Sequence, residues 1–551
     1  MKKKYIVPAV LSSALLASSV SMSNVLAAPQ ESSVSSSVQA QKEWNQKANV
    51  PIFVKEKFAE KHSASNASNA LNYLGKNEEK IGIKNPKKNL NVKSVQEDDL
   101  GMTHVRLKQT KNGVPVEGAE VIVHYNKDNE IVAVNGHHNK EVEGATIDTK
   151  ASVSADQALQ AAKTSVNAPE KLTYTPTTDL VVYPFTGKNS LAYKINVNFL
   201  GDEPGNWFVF VDANTGEVID QYNALLHANE IKSKAHKSVG EGVLGTLRHL
   251  NTTKEKLPKQ GTTFKLYDES HENLEGIYTY DFNTGKVFEN KSASWKDEYQ
   301  GPAVDAHYNS EKVYEYYLNE HGRNSLDGEG MAIKSYVHYG NDYNNAFWNG
   351  RYMTYGDGDG EYMVPLSAGL DVAAHEMTHG VITHTANLNY RFQSGALNES
   401  FADVFGTLID EDDWEMGEDI MAPAAKEDGR TALRSLSNPD QFEVSGERAQ
   451  YGDGRYPEHM DEFYNMPLSV DNGGVHVNSS ITNHAAYLIG EQIGKQKLGQ
   501  IYYRAISTYL TPTSDFSDAR KAIEQSATDI YGENSPEFTA VTNGFDQVGI
   551  Y

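Results

Sequence analysis

The chain has 551 residues, no cysteine, and 50 basic against 74 acidic side chains, for a formal charge of −24. That length exceeds one typical domain. The acidity argues against nucleic acid and anionic membrane surfaces as partners, and the absence of cysteine excludes a disulfide framework.

The N-terminus reads as a signal peptide over 1–27. Lys2-Lys3-Lys4 form its charged end, Ile6 to Val20 its apolar stretch, and Val25-Leu26-Ala27 a small-residue cleavage site. No later stretch has the length of a membrane span, so the expectation is a protein exported and released without a membrane anchor. An exported chain without disulfides needs another brace, and bound metal is the obvious one. Residues 28 to about 48 are rich in Ser, Gln and Ala and read as a disordered leader. From about 50 to 225 strand patterns dominate: Val105 and Leu107 alternate with polar residues, Lys111-Asn112-Gly113 supplies a turn, and Val121, Val123 and Tyr125 alternate again. Ala151 to Val166 reads as an amphipathic helix opened by Ser152 or Ser154. A junction is expected in the polar stretch Asn229 to Lys237, near residue 231.

Gly242 to Tyr362 is rich in Gly, Tyr and Asn and predicts short strands interrupted by a helix around Ala303 to His321. From Leu370 the periodicity is helical, with Ala485–Lys497, Leu498–Tyr509 and Ser517–Tyr531 as the later helices. Within Asp371-Val372-Ala373-Ala374-His375-Glu376-Met377-Thr378-His379, a helix sets His375 and His379 one turn apart on one face, the spacing at which two imidazoles hold one zinc ion. Glu376 then lies beside the metal, placed to accept a proton from a water there. A third ligand is required, and Glu399 offers one on a helix marked by Leu397, Phe401, Val404, Phe405 and Leu408, with Asp403 one turn on to orient a ligand histidine. His476 lies in the Gly-rich stretch Asp471-Asn472-Gly473-Gly474-Val475, a loop able to hold a side chain over a cleft. Asp410 to Glu418 packs six carboxylates into nine residues, either a solvated face or a cation site.

HEMTHG, then SGALNESFAD, preceded by NNAFWNG (Asn344 to Gly350) and followed by DNGGVHVNS (Asp471 to Ser479), resembles the thermolysin-type neutral metalloproteases, with the match running from about Gly242 to the C-terminus. The resemblance implies an α+β, two-lobed catalytic unit: a mostly β lobe over 231–385, a mostly α lobe over 386–551, and a zinc cleft between them. It makes 28–230 a propeptide of two small α+β modules, about 50–115 and 116–225, that assists folding and inhibits the enzyme until the proenzyme processes itself. It implies one zinc on His375, His379 and Glu399, with Asp403 and Asn398 orienting the histidines. Glu376 becomes the base, and His476, oriented by Asp471, and Tyr390 become oxyanion donors. Asn345, Ala346, Trp348 and Arg434 would bind substrate backbone. Met363, Leu366, Val372, Met416, Ile420 and Leu433 would line a pocket for a large apolar residue after the scissile bond. Asp371, Asp410, Asp413, Glu415 and Glu418 would hold one or two calcium ions, the acidic segment being shorter than is usual in the family. The expectation is therefore a secreted, monomeric zinc endopeptidase acting on proteins or peptides. A non-catalytic zinc-braced binding protein, or a zinc hydrolase of cell-wall glycans, would be the rival readings. An insertion within 442–470 has no role in the resemblance.

Overall fold

A computed structural model describes residues 62–172, 175–185, 188–199, 205–223, 235–257 and 261–551. The expected signal peptide, 1–27, the expected leader, 28 to about 48, and the expected junction near 231 lie outside them.

The first part is one eight-stranded sheet. Its strands are β1 (Leu90–Glu97), β2 (Thr103–Lys111), β3 (Val114–Tyr125), β4 (Ile131–Gly136), β5 (Thr177–Tyr183), β6 (Ser190–Phe199), β7 (Gly205–Asp212) and β8 (Val218–Asn223). Alternation in β2 and β3 places Val105, Leu107, Val121, Val123 and Tyr125 on one face, which packs under α1 (Ala67–Lys76) through Ala70, Tyr73 and Leu74. Further on, α2 (Ala155–Ser165) starts at Ser154, whose side chain caps Gln157 N while Gln157 returns the bond, and lays Ala158 and Ala162 over Ile195, Val197, Val209 and Val211. The two halves meet where β3 runs parallel to β5 at Val116 and Val182. A module boundary at 115/116 therefore falls inside β3. Antiparallel pairing of β3 with β2 and β4 continues to Gly136, so the first unit closes after β4, and the residue 115 division is corrected accordingly.

The second part holds two more sheets. β9 (Ala235–Glu241), β10 (Leu247–Leu257) and β11 (Gly261–Lys265) form an antiparallel run. A six-stranded mixed sheet follows the order β12 (Tyr267–Asp268), β13 (Ile277–Asp281), β14 (Ile333–Val337), β16 (Met353–Tyr355) and β15 (Ala346–Trp348), with the short strand Lys286–Val287 also paired to β13, which leaves β15 on the edge. Beneath lies α3 (Gly301–His321), and Tyr317 shares a 2.7 Å hydroxyl contact with Thr378 on α4 (Leu370–Thr383). The second lobe is helical: α5 (Phe392–Ile409), α6 (Asp471–Ile493), α7 (Lys495–Arg504), α8 (Phe516–Tyr531) and α9 (Pro536–Gln547). One apolar core runs through both lobes, from Val304 and Val313 on α3 through Ala374 and Val381 on α4 to Ile481 on α6. Helix α4 is buried nearly all round, as befits an element between two lobes.

Where the sequence predicts Ala485–Lys497 and Leu498–Tyr509 as helices, Gly494 (φ 86°) breaks the run, so α6 ends at Ile493 and α7 begins at Lys495. Helix α9, with Ser535 as its cap and Pro536 at its first turn, adds an element that periodicity did not reveal. Residues 442–470 form short turns with their own core of Phe442, Val444, Tyr456, Tyr464 and Met466, closed by Val477 of α6. Among the described residues no helix is long and apolar enough to cross a membrane.

Candidate active site

Helix α4 is rich in Ala, with Asp371 in its first turn, where a carboxylate favours the helix N-terminus. Its i, i+4 spacing brings His375 Nε2 and His379 Nε2 to 3.1 Å, with ring centroids 4.7 Å apart. Helix α5 crosses it and presents two carboxylates, again one turn apart. Glu399 lies 3.4 Å from His379 Nε2 and 3.6 Å from His375 Nε2. Asp403 Oδ1 lies 2.7 Å from His375 Nδ1, and Asn398 Oδ1 lies 2.7 Å from His379 Nδ1. His379 is thus hydrogen-bonded at Nδ1, His375 has its Nδ1 in close ion-pair contact with Asp403, and both turn Nε2 toward each other and Glu399. Among the described residues Glu399 Oε2 is buried without a hydrogen-bond partner. Two imidazole nitrogens and a carboxylate facing one point, one oxygen of it unpaired, are a donor set that fits zinc.

The site is electronegative. Burial opposes charge on His379, yet the adjoining Glu399 and Glu376 outweigh it and raise the imidazole to about 9. For Glu399, burial favours the neutral acid, but His476, His379 and His375 hold it well below the usual carboxylate range. Asp403 is likewise lowered despite burial, by Arg434 and His375. Arg434 donates to both Asp403 oxygens, at 2.7 and 2.8 Å, and Asn483 Nδ2 donates to Oδ2 at 2.8 Å.

Glu376 reaches the β lobe, where its Oε2 accepts from the backbone N–H of Trp348 on β15 at 2.9 Å. Opposite, the stretch from Asp471 to Gly474 is left-handed throughout, with φ of 52°, 47°, 89° and 87°. This turn opens α6, so His476 stands in the helix's first turn rather than in a loop. Its Nδ1 lies 2.5 Å from Asp471 Oδ1, and its N–H donates to Asp471 Oδ2 at 3.0 Å. His476 Nε2 is 3.0 Å from the Tyr390 hydroxyl, which in turn donates to Glu399. A Cβ on Gly395 of α5 would meet Val475 Cγ1 at 2.5 Å, so only glycine permits α5 to pass this close to the His476 turn.

Comparisons with known proteins agree with this geometry. Residues 237–383 match the family model described as the thermolysin metallopeptidase catalytic domain, and residues 386–550 match its alpha-helical domain. Upstream, 88–137 match the fungalysin/thermolysin propeptide motif and 152–222 the peptidase propeptide and YPEB domain. Thermolysin of Alicyclobacillus acidocaldarius is 39% identical over 544 residues, covering 92% of this chain and 94% of that protein. Bacillolysin of Brevibacillus brevis is 40% identical over 479 residues, 83% of this chain and 84% of its own length. The chain belongs to the thermolysin family of metallopeptidases. It is accordingly a zinc endopeptidase with propeptide domains ahead of its catalytic unit.

Around the cleft of this thermolysin-family enzyme, Asn345 precedes β15, which contains Ala346 and Trp348; β15 pairs with β16 on one side. Met363, Leu366, Val372, Met416 and Ile420 are all buried in the main core, and the half-buried Leu433 packs against it. The main chain ties them together: Val364 N donates to Ile420 O at 2.9 Å and Leu433 N to Met416 O at 2.7 Å. Of the five acidic residues expected at calcium, Asp371, Asp410 and Glu418 bring ligand atoms within 4.8 Å of one another. Burial raises all three, with Asp410 at about 6 and Glu418 at about 7. Glu415 instead accepts from Ser435 and Gln441, and Asp413 Oδ1 from Glu415 N, so neither of those side chains joins the cluster. The ammonium of Lys495 donates to the carbonyls of Thr407, Glu411 and Asp413.

Four contributions left no signal in the sequence. The Trp348 N–H on Glu376 is a backbone group and leaves no mark in sequence. Asn483 and Arg448, which lies 3.9 Å from Asp471, approach from other elements. Arg391, beside Tyr390, donates to Asp220 of β8 at 2.6 Å and to the Tyr183 hydroxyl of β5 at 3.0 Å. The propeptide sheet is therefore fastened next to the cleft.

Proposed function

We propose that the enzyme is made as a secreted, self-processing precursor and cleaves peptide bonds before large apolar residues, with zinc held by His375, His379 and Glu399. What carries the zinc assignment is the convergence of the two Nε2 atoms on a buried carboxylate that has an unpaired oxygen. Glu376 also has an oxygen in reach of both histidines. Its bond to Trp348 N and its position on the β-lobe side suit it instead to proton transfer. When bound, zinc supplies Lewis acidity toward the scissile carbonyl and makes water acidic enough to attack at neutral pH. Glu376 accepts a proton from the attacking water and passes it to the leaving amine. His476, held by Asp471, and Tyr390 donate to the carbonyl oxygen as it takes on negative charge. Asp403 and Asn398 fix the two imidazoles by their Nδ1 atoms.

Substrate would lie along the outer edge of β15, which pairs with no second strand among the described residues and is suited to binding an extended peptide by main-chain bonds through Asn345 and Ala346. Trp348 and Arg434 would complete that contact, with Arg434 anchored by Asp403. Met363, Leu366, Val372, Met416, Ile420 and Leu433 would surround the residue after the scissile bond. Asp371, Asp410 and Glu418 would bind one calcium ion, with Asp413 and Glu415 shaping the segment beside it. A second calcium is disfavoured, because Lys495 already supplies a cation to the carbonyls of the same segment. The propeptide would serve as folding aid and inhibitor, docked through Asp220 and Tyr183 against Arg391.

Casein hydrolysis by the processed protein, with 1,10-phenanthroline and then zinc add-back, tests the reading. Loss and recovery of activity are expected, with cuts mapped by mass spectrometry falling before Leu, Ile, Phe and similar residues. A folded, processed, zinc-loaded protein that leaves casein intact would overturn it.

A further inference from the structure

Away from the cleft, Asp268 at the end of β12, His271 three residues later and Glu311 in the middle of α3 each bring a ligand atom within 4.8 Å of the others. Asp268 is fully buried and Glu311 is 7% exposed, while the His271 side chain is 20% exposed. Each carboxylate is anchored by one oxygen. Asp268 Oδ1 accepts from Ser270 N at 2.7 Å, and Glu311 Oε1 accepts from Asn251 Nδ2, whose own Oδ1 accepts from Lys237. Among the described residues the remaining atoms, Asp268 Oδ2, Glu311 Oε2 and His271 Nε2, are buried without a hydrogen-bond partner, and Oδ2 and Nε2 face each other as an ion pair at 3.3 Å.

We propose that Asp268, His271 and Glu311 form a second transition-metal site, distinct from the cleft, that clips the β12 turn to α3. Two carboxylates and one imidazole, their ligand atoms within 4.8 Å of one another and Glu311 Oε2 unsatisfied among the described residues, make a three-ligand set that leaves room for water. The nitrogen donor favours zinc or a similar transition ion over calcium or magnesium, which take oxygen ligands. Burying two acids this close is costly without a cation. Burial and then the Asp268 charge raise Glu311 to about 7. A protonated His271 paired to Asp268 would relieve part of that cost, yet it would leave Glu311 Oε2 unsatisfied. The partly exposed His271 ring, 4.7 Å from Tyr314, gives an ion a way in from solvent.

The consequence is mechanical. Asn309, on the same helix as Glu311, donates to Ser367 O at 3.0 Å and Gly369 O at 3.3 Å, directly ahead of α4. A metal that pins α3 to β12 would stabilise the lobe against which α4 rests, in a chain that has no cysteine.

The test uses the full-length chain dialysed against chelator and titrated with zinc or cobalt(II) in excess calcium. In a His375→Ala/His379→Ala background one equivalent is expected to bind, with a raised thermal midpoint. Adding His271→Ala should remove both the equivalent and the midpoint shift. In a Glu376→Gln background the count should fall from two to one on the same substitution, so failure of the cleft assignment is read separately. Glu311→Gln, nearly the same in shape, should repeat the loss where His271→Ala folds poorly by circular dichroism. No binding in the double-histidine variant, or binding that survives Glu311→Gln and His271→Ala, overturns the site and leaves an Asp268–His271 ion pair.

Discussion

At the scale of single residues, the side chains proposed to carry the chemistry are held by a second atom. Asp403 shows this most clearly, since it serves His375 with one oxygen and Arg434 with both. Replacing it by Ala frees the imidazole to rotate and strands a guanidinium that is 14% exposed. Asp403→Ala is therefore expected to weaken zinc binding by about 10–100-fold and to cost about 3–5 kcal/mol of stability. Zinc competition with a chromogenic chelator and urea unfolding would check the two effects; unchanged zinc affinity would show that Asp403 orients nothing. His476 differs in kind, because its proposed work falls in the transition state. His476→Ala should lower kcat by about 10²–10³ with little change in KM. A rise in KM at constant kcat would assign His476 to ground-state binding instead.

At the scale of elements, the turn before α6 decides where His476 stands. A Cβ on Gly473 would meet the Phe392 ring at 2.2 Å, at a φ of 89° that side-chain-bearing residues rarely adopt. Phe392 is the first residue of α5, the helix of Glu399 and Asp403, so a push there disturbs both walls of the cleft. Gly473→Ala should cost at least ~1 kcal/mol of stability and lower kcat/KM more than the outward change at Gly429, where a Cβ meets nothing. Equal effects at the two positions would remove the turn from the argument. This also marks how far the sequence could be read. The histidine pair on α4 and the Glu399–Asp403 pair on α5 were legible because helical spacing alone puts each pair on one face. The fold class was legible too, from the change of periodicity after Leu370. The left-handed turn appeared only as a glycine-rich stretch, because its shape depends on Phe392 from another element. The 442–470 insertion gave no signal, since its Arg448 reaches Asp471 and its Tyr464 pairs with Asn478 of α6 only through tertiary contact. The acidic run was legible as charge but not as a ligand set: Glu415 turned out to be spoken for by Ser435 and Gln441.

At the scale of the whole molecule, the propeptide half meets the helical lobe through a set of buried and half-buried polar groups. Arg504 of α7 donates to Asp98 at 2.8 Å, Arg106 of β2 donates to the carbonyl of Thr508, and Asn135 of β4 donates to that of Tyr509. At the centre His124 is fully buried, 2.8 Å from His104 and with its ring 4.8 Å from that of Tyr509. Burial, with His104, Arg106 and Arg504 close by, holds the His124 imidazole well below its ordinary 6.5, although Asn135 acts the other way. Asp98 stays ionised, lowered by His104 and Arg504 against its burial, so it does not titrate in the same range. The sign follows from linkage. Above about pH 6.5 His124 is neutral docked or undocked, and the contact is at full strength. Below it, the undocked or unfolded chain takes up a proton that the docked chain refuses, so stability falls as pH drops. The slope for this one group is at most about 1.4 kcal/mol per pH unit, and it ends only when the depressed pKa is reached. The Glu376→Gln precursor should therefore lose thermal midpoint steadily from pH 7 to pH 5, and His124→Gln should flatten that slope whatever it does to the midpoint at pH 7. Parallel slopes in the two chains would mean that His124 is not the proton acceptor and that acid acts elsewhere in the precursor.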